Sequence, residues 1–196
     1  TTTYNADGNE VGTEAGCVST VQGIANGTTS VILYGILGEY QTNFKVRNTT
    51  VNGITGSGGN TIYGIIATTS ASNTVDFSNN TVTGMSGGGT VYAIYITAGE
   101  SATISNNQVY NITTSGTAGA VRGIYVTATG ITANITGNRV YAIRSTGITT
   151  TVAAGIELAT GLTFNVYNNT ISDVTAPAST QTGAGTRGIT ITGGST

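Results

Sequence analysis

Histidine and tryptophan are absent from this 196-residue chain, and cysteine, methionine and proline occur once each. Without histidine there is no Ser-His-Asp triad and no imidazole-built metal site. A lone Cys17 cannot close an internal disulfide. Beside Ala15 and Val18 it reads as a buried, inert thiol, the usual state of a free cysteine. Charge is scarce as well: six Lys and Arg against eight Asp and Glu leave a net of −2. Nucleic acid is therefore excluded as a partner, because no basic patch exists to neutralise phosphates. No apolar run is long enough to span a membrane, and no stretch has a helical period. The opening Thr1-Thr2-Thr3-Tyr4 lacks the basic and apolar regions of a signal peptide, so the chain reads as already processed or as excised from something longer.

What is present is repetitive. Thr, Ser, Asn and 30 Gly fill the polar positions, while Val, Ile, Tyr and Thr favour strands. The segment from Val75 to Ile96 shows the unit in three parts. An alternating apolar pair ends in an Asn turn (Val75-x-Phe77-x-Asn79-Asn80), a short apolar segment follows (Val82-x-x-Met85), and after a glycine-rich bend comes Tyr92-Ala93-Ile94-x-Ile96. The first part recurs at Phe44/Val46, Ala102/Ile104, Ala133/Ile135 and Phe164/Val166. The second recurs at Val51/Ile54, Val109/Ile112, Val140/Ile143 and Ile171/Val174, and the third ends in Gly-Ile at Ile65, Ile124, Ile156 and Ile189. The period is roughly 30 residues, which is that of a solenoid.

Each short strand of such a unit can pair only with its equivalent one turn away. The expected fold is therefore all-β, a parallel β-helix of about six rungs spaced about 4.8 Å apart, with a narrow core that is stable only when rungs stack. Residues 15–196 carry the repeats. Residues 1–14 read as a partial rung or connecting strand, with Tyr4-x-Ala6-x-Gly8-Asn9 in the place of the first part. At the corners, a bend that needs left-handed backbone angles suits Asn and Gly. Stacked Asn80, Asn107, Asn138 and Asn169 can also pass amide hydrogen bonds along the column as a structural ladder.

The repeated Asn-Asn-Thr-Val/Ile turn followed by Tyr-Gly-Ile resembles the right-handed parallel β-helix repeats of the pectin-lyase-like superfamily. More closely, it is similar to the Thr/Asn/Gly-rich repeats of large secreted surface adhesins and gliding filaments of Bacteroidota. The resemblance implies a right-handed coil, a bacterial source and an extracellular or cell-surface location. It does not choose a function, since that superfamily hosts lyases, hydrolases, tailspikes and inert stalks.

Its enzymes cluster carboxylates on the outside of one sheet. Here the outward first-part positions are Lys45, Asp76, Thr103, Asn134, Asn165 and Arg47, Ser78, Ser105, Thr136, Tyr167. A single Asp76 beside Lys45 and Arg47 makes a surface ion pair. Glu100, Glu157 and Asp173 fall on different parts of the rung, which gives no two-carboxylate geometry. No catalytic residue, metal or cofactor is expected, and the chain is read as a non-enzyme. The glycine runs Gly56 to Gly59 and Gly87 to Gly89 lack the Lys-Ser/Thr of a phosphate loop and read as surface bends. Asn48, Asn79, Asn111 and Asn134 begin acceptor-like glycosylation triplets.

Within the outward third-part column of Leu37, Ile66, Tyr95, Tyr125, Glu157 and Thr190, the candidate interaction strip is Ile66, Tyr95 and Tyr125 on successive rungs, with Tyr110 and Tyr141 as a second pair beside the Asn corner. Exposed contiguous apolar surface marks interaction sites, although tyrosines on neighbouring rungs also stabilise a sheet directly. Three functions follow as expectations. The first is the shaft of an extracellular filament or adhesin, self-associating head to tail because neither end carries a visible cap. The second is a carbohydrate-binding or degenerate polysaccharide-degrading β-helix with a glycan or cell-surface ligand. The third is an ice-binding protein, disfavoured because Thr81/Thr83, Thr127/Thr129 and Thr190/Thr192 do not share one rung position.

Overall fold

A computed structural model describes residues 6–7, 10–12, 19–27, 31–68, 74–149, 151–180, 182 and 185–194. Cys17, Tyr4 and Asn9 lie outside them. The described residues form strands joined by turns and bends, without helix, and every strand pairing is parallel. The chain is a parallel β-solenoid of about five turns with a repeat of about 31 residues, so six strands stack in each column.

Three sheets form its walls. The first stacks Glu10–Val11, Phe44–Arg47, Thr74–Ser78, Ser101–Ser105, Thr132–Thr136 and Thr163–Tyr167. The second stacks Ser19–Gln22, Thr49–Asn52, Thr81–Gly87, Gln108–Thr114, Arg139–Ser145 and Thr170–Thr175. The third stacks Ile32–Glu39, Thr61–Thr68, Val91–Ile96, Ala120–Val126, Val152–Leu158 and Thr186–Ile191. Register follows the repeat residue by residue. Val46, Phe77, Ile104, Ile135 and Val166 are successive partners in the first sheet, and Ile36, Ile65, Ile94, Ile124, Ile156 and Ile189 in the third. These columns are the core. Alternation along a strand turns every second side chain inward, and the middle rungs bury those chains completely.

The amino-terminal register differs from the expected one. Val11, not Ala6, partners Val46, and Ala6 instead pairs with Gln41 in a separate two-stranded sheet. Gly12 explains how the strand ends there. Its φ of 83° is left-handed, and a Cβ on it would lie 1.8 Å from the Arg47 carbonyl oxygen, so only glycine can make this corner.

A second feature is specific to the third sheet. Its strands turn inward at Val91 and again at Ile94, three residues apart, with Ala93 buried between them. The residue in that place is glycine at positions 35, 64, 123, 155 and 188. A Cβ at Gly123 would stand 2.5 Å from Val140 Cγ1, and one at Gly64 would stand 2.8 Å from Val82 Cγ1. The Gly-Ile of the motif is therefore where the third sheet closes onto the side chains of the second.

Candidate functional site

The Asn-Asn corner divides its work between two residues. The first residue of the pair turns the chain: Asn48, Asn79, Asn106 and Asn168 all have φ between 49° and 57°, with Gly137 at 67°. The second points inward. Asn107 donates from Nδ2 to the Phe77 carbonyl (2.8 Å) and to Asn138 Oδ1 (2.9 Å), while its own Oδ1 accepts from the Asn80 backbone N–H and from Asn80 Nδ2 (both 3.0 Å). Asn138 repeats this with Ile104, Asn169 and Asn107. Asn80 donates to Val46 and Asn107, and Asn169 donates to Ile135. Asn80, Asn107 and Asn138 are buried with their amides satisfied along the axis, which is the condition on which a buried polar column is stabilising. Thr49 holds the equivalent place one rung earlier and donates its backbone N–H to Asn80 Oδ1 (3.0 Å).

On the third sheet the tyrosines are more numerous than the outward column alone suggests. Tyr34, Tyr63 and Tyr92 are register partners in one column, and Tyr95 and Tyr125 in the next. All five rings stack into one cluster: Tyr63 and Tyr92 at 5.3 Å, Tyr92 and Tyr95 at 4.6 Å, Tyr95 and Tyr125 at 5.0 Å, with interplanar angles of 8°, 14° and 10°. Tyr34 joins through Tyr63 at 5.2 Å. The two columns merge because the extra inward residue at the glycine position brings outward positions three apart, such as Tyr92 and Tyr95, onto the same side. Two tyrosines flanking the Gly/Ala-Ile pair were the sequence signal for this.

Ile66 does not belong to an exposed strip. It lies between Leu37 and Tyr95 in register and is only 5% exposed, so it is packed rather than presented. Tyr95 and Tyr125 are half-buried. Tyr110 and Tyr141 stack at 4.9 Å and 2° on the second sheet, with the Arg139 guanidinium 4.8 Å from the Tyr141 ring. In both groups the ring faces are turned toward other rings. A face already stacked on a neighbour cannot also lie flat on a sugar, so the clusters offer mainly edges to an outside partner.

The tyrosine cluster ends in charge. Arg122, the register partner of Tyr92, places its guanidinium 4.5 Å from the Tyr125 ring and 2.7 Å from Glu157 Oε2. Arg187 reaches the other carboxylate oxygen at 3.6 Å. Between the two arginines in the same column stands Ala154, a small residue that leaves room for both to fold toward Glu157. Glu157 is 7% exposed despite facing outward, and it ties three successive rungs together. Burial works against the charge of Arg122, but the hydrogen bond and the negative charge of Glu157 outweigh it and hold its pKa above the ordinary value. Burial pushes the Tyr92 phenol up to about 12, against the opposing pull of Arg122, and raises Tyr63 and Tyr125 in the same direction.

Two further ion pairings lie nearer the surface, at Arg144, 3.8 Å from Asp173, and at Arg47. Arg47 hydrogen-bonds Asp76 through Nε at 3.0 Å and approaches Glu10 at 3.8 Å. Among the described residues no group of three or more Asp, Glu, His or Cys could hold a metal ion, and no helix is long and apolar enough to cross a membrane. No protein-family model, curated protein or solved structure matches the chain.

Proposed function

We propose that the chain is a structural shaft segment of an extracellular filament or surface adhesin, extended by stacking rung upon rung, head to tail. One observation carries this reading: polar and aromatic side chains of the described walls join rung to rung along the axis, as where Asn107 Nδ2 donates to Asn138 Oδ1 at 2.9 Å and Tyr95 stacks on Tyr125 at 5.0 Å. A solenoid held by such nearest-neighbour contacts gains stability with every rung added, which suits an extended shaft.

The side-chain arrangement fits such a role. The asparagine ladder, the tyrosine cluster and the Glu157 clamp all run along the axis and join rungs, which resists their separation. The resemblance of the repeats to those of secreted Bacteroidota surface proteins supports the location and the pectin-lyase-like ancestry. Negative-stain electron microscopy at several protein concentrations tests the proposal. Long thin fibres that lengthen with concentration are expected; isolated short rods at every concentration would refute it.

A further inference from the structure

We propose that Tyr110 and Tyr141 form an oxidative cross-linking site, which hydrogen peroxide and a haem peroxidase convert to a dityrosine joining two rungs covalently. The inference stands apart from the filament reading, since it needs only neighbouring rungs of one copy. The two tyrosines are register partners on the second sheet, with rings 4.9 Å apart and parallel to 2°. Their backbones are held in step. Val109 with Val140 and Ile112 with Ile143 are buried register pairs on either side, and the residue after each tyrosine, Asn111 or Ala142, is left-handed, with φ of 56° and 53°. Both rings therefore leave the sheet in the same direction, one rung spacing of about 4.8 Å apart.

A biaryl bond needs the rings edge to edge, and here there is room for them to turn. A tyrosine ring rotates about Cβ–Cγ in a broad two-fold well, and the column continues to small residues, Thr83 before Tyr110 and Ser172 after Tyr141. Arg139, which lies over the Tyr141 ring, is exposed and can swing aside. The five-tyrosine cluster lacks that freedom. Tyr92, for one, packs against Tyr63, Tyr95 and Tyr125, and the burial that raises its phenol to about 12 makes loss of the proton costly. Competing donors are few, since the chain has no tryptophan or histidine and Met85 is fully buried. In the reaction each phenol gives up one electron and one proton, and the two phenoxyl radicals join through a bond between their Cε atoms. The hydrogen on each bonded carbon then leaves as a proton while a proton returns to each oxygen. Two hydrogens are lost in all, and one peroxide is reduced to two waters.

The test treats the full chain carrying Cys17→Ser, which removes the competing thiol, with substoichiometric peroxide and peroxidase, as an equal mixture of unlabelled and heavy-isotope-labelled protein. Peptide mapping by mass spectrometry is expected to find a linked Tyr110–Tyr141 pair as the first product, two hydrogens lighter than its parts and of unmixed label. Tyr110→Phe, which keeps a ring in the stack, should lose this product, and the parent unfolded in denaturant should lose the preference for it. A first link elsewhere, such as at the exposed Tyr40 or Tyr167, a link of mixed label, or no dityrosine at all would overturn the site. Equal yield of the pair from the unfolded chain would overturn the part played by the stack. Fibre formation is read separately by microscopy, so the two proposals fail independently.

Discussion

Replacing Asn107 by alanine is the sharpest test of what the asparagine ladder contributes. The side chain is fully buried and makes four hydrogen bonds. Truncation leaves three buried groups without their partner: the Phe77 carbonyl, the Asn80 backbone N–H and one hydrogen of Asn80 Nδ2. The fourth partner, Asn138 Oδ1, still receives the Asn107 backbone N–H at 3.0 Å. An orphaned buried polar group costs about 1–3 kcal/mol. With water entering the vacated space, the lower half of the summed range of about 3–9 kcal/mol applies, about 3–6 kcal/mol, a large part of the stability of about 5–15 kcal/mol typical of a domain. The same change at Asn169 is made where water reaches the amide and should cost about 1 kcal/mol, near the net value of an ordinary hydrogen bond. Chemical denaturation followed by far-ultraviolet circular dichroism reads both. If Asn107→Ala shifts stability by no more than Asn169→Ala, the ladder is geometry without energetic consequence and the reasoning fails. Asn107→Asp separates donation from shape, because a carboxylate accepts from Asn80 but faces two oxygens, Phe77 O and Asn138 Oδ1, with no proton to give. Its pKa is then raised by folding, so the variant is most stable below about pH 4, the unfolded carboxyl value, and loses stability as pH rises through the folded pKa.

Gly123→Ala is expected to cost about 1–3 kcal/mol as an overpacked core substitution, because its Cβ would meet Val140 Cγ1 at 2.5 Å and the Gly155 carbonyl oxygen at 2.6 Å. Gly188→Ala, in the same column but with nothing within 4 Å, should be neutral or stabilising by up to about 1 kcal/mol, and thermal melts of the two variants compare them. Glu157→Gln leaves Arg122 and Arg187 facing each other without the carboxylate between them and should cost about 3 kcal/mol, as removal of one partner of a buried pair does; equal denaturation midpoints for variant and parent would show the clamp to be inert. Tyr92 should ionise near pH 12 in an ultraviolet titration, and Tyr92→Phe should remove that phase. Since folding raises this phenol above its ordinary value of 10.0, its contribution to stability is complete below pH 10 and is lost as pH climbs through about 12.

The core columns were legible because their cause is local and repeated. Strand alternation and a recurring Asn turn place Phe77, Ile104 and Ile135 one above another without knowledge of anything else in the chain. Where the repeat is degraded, legibility ended. The amino-terminal segment carries two spacings that resemble the first part, and only pairing selects Val11 over Ala6 for the column of Val46. The exposure expected of Ile66 failed for a related reason. An outward position is open only if its neighbours on adjacent rungs leave it so, and Leu37 and Tyr95 flank it in register.

Period and composition by themselves determine that this chain is all-β, that its strands pair in parallel with their own repeats, and that its corners are built on asparagine and glycine. These follow from side-chain volume, backbone angles and alternation, which act within a few residues. Tertiary structure alone decided that the bend falls on the residue before each ladder asparagine, that five tyrosines from two columns form one stack, and that Glu157 holds Arg122 and Arg187 across three rungs. Each of these depends on the offset between strands some 30 residues apart in the chain but one rung apart in space, and on the inward kink at Ala93 and its glycine equivalents. A distance of that kind is set by closing the coil.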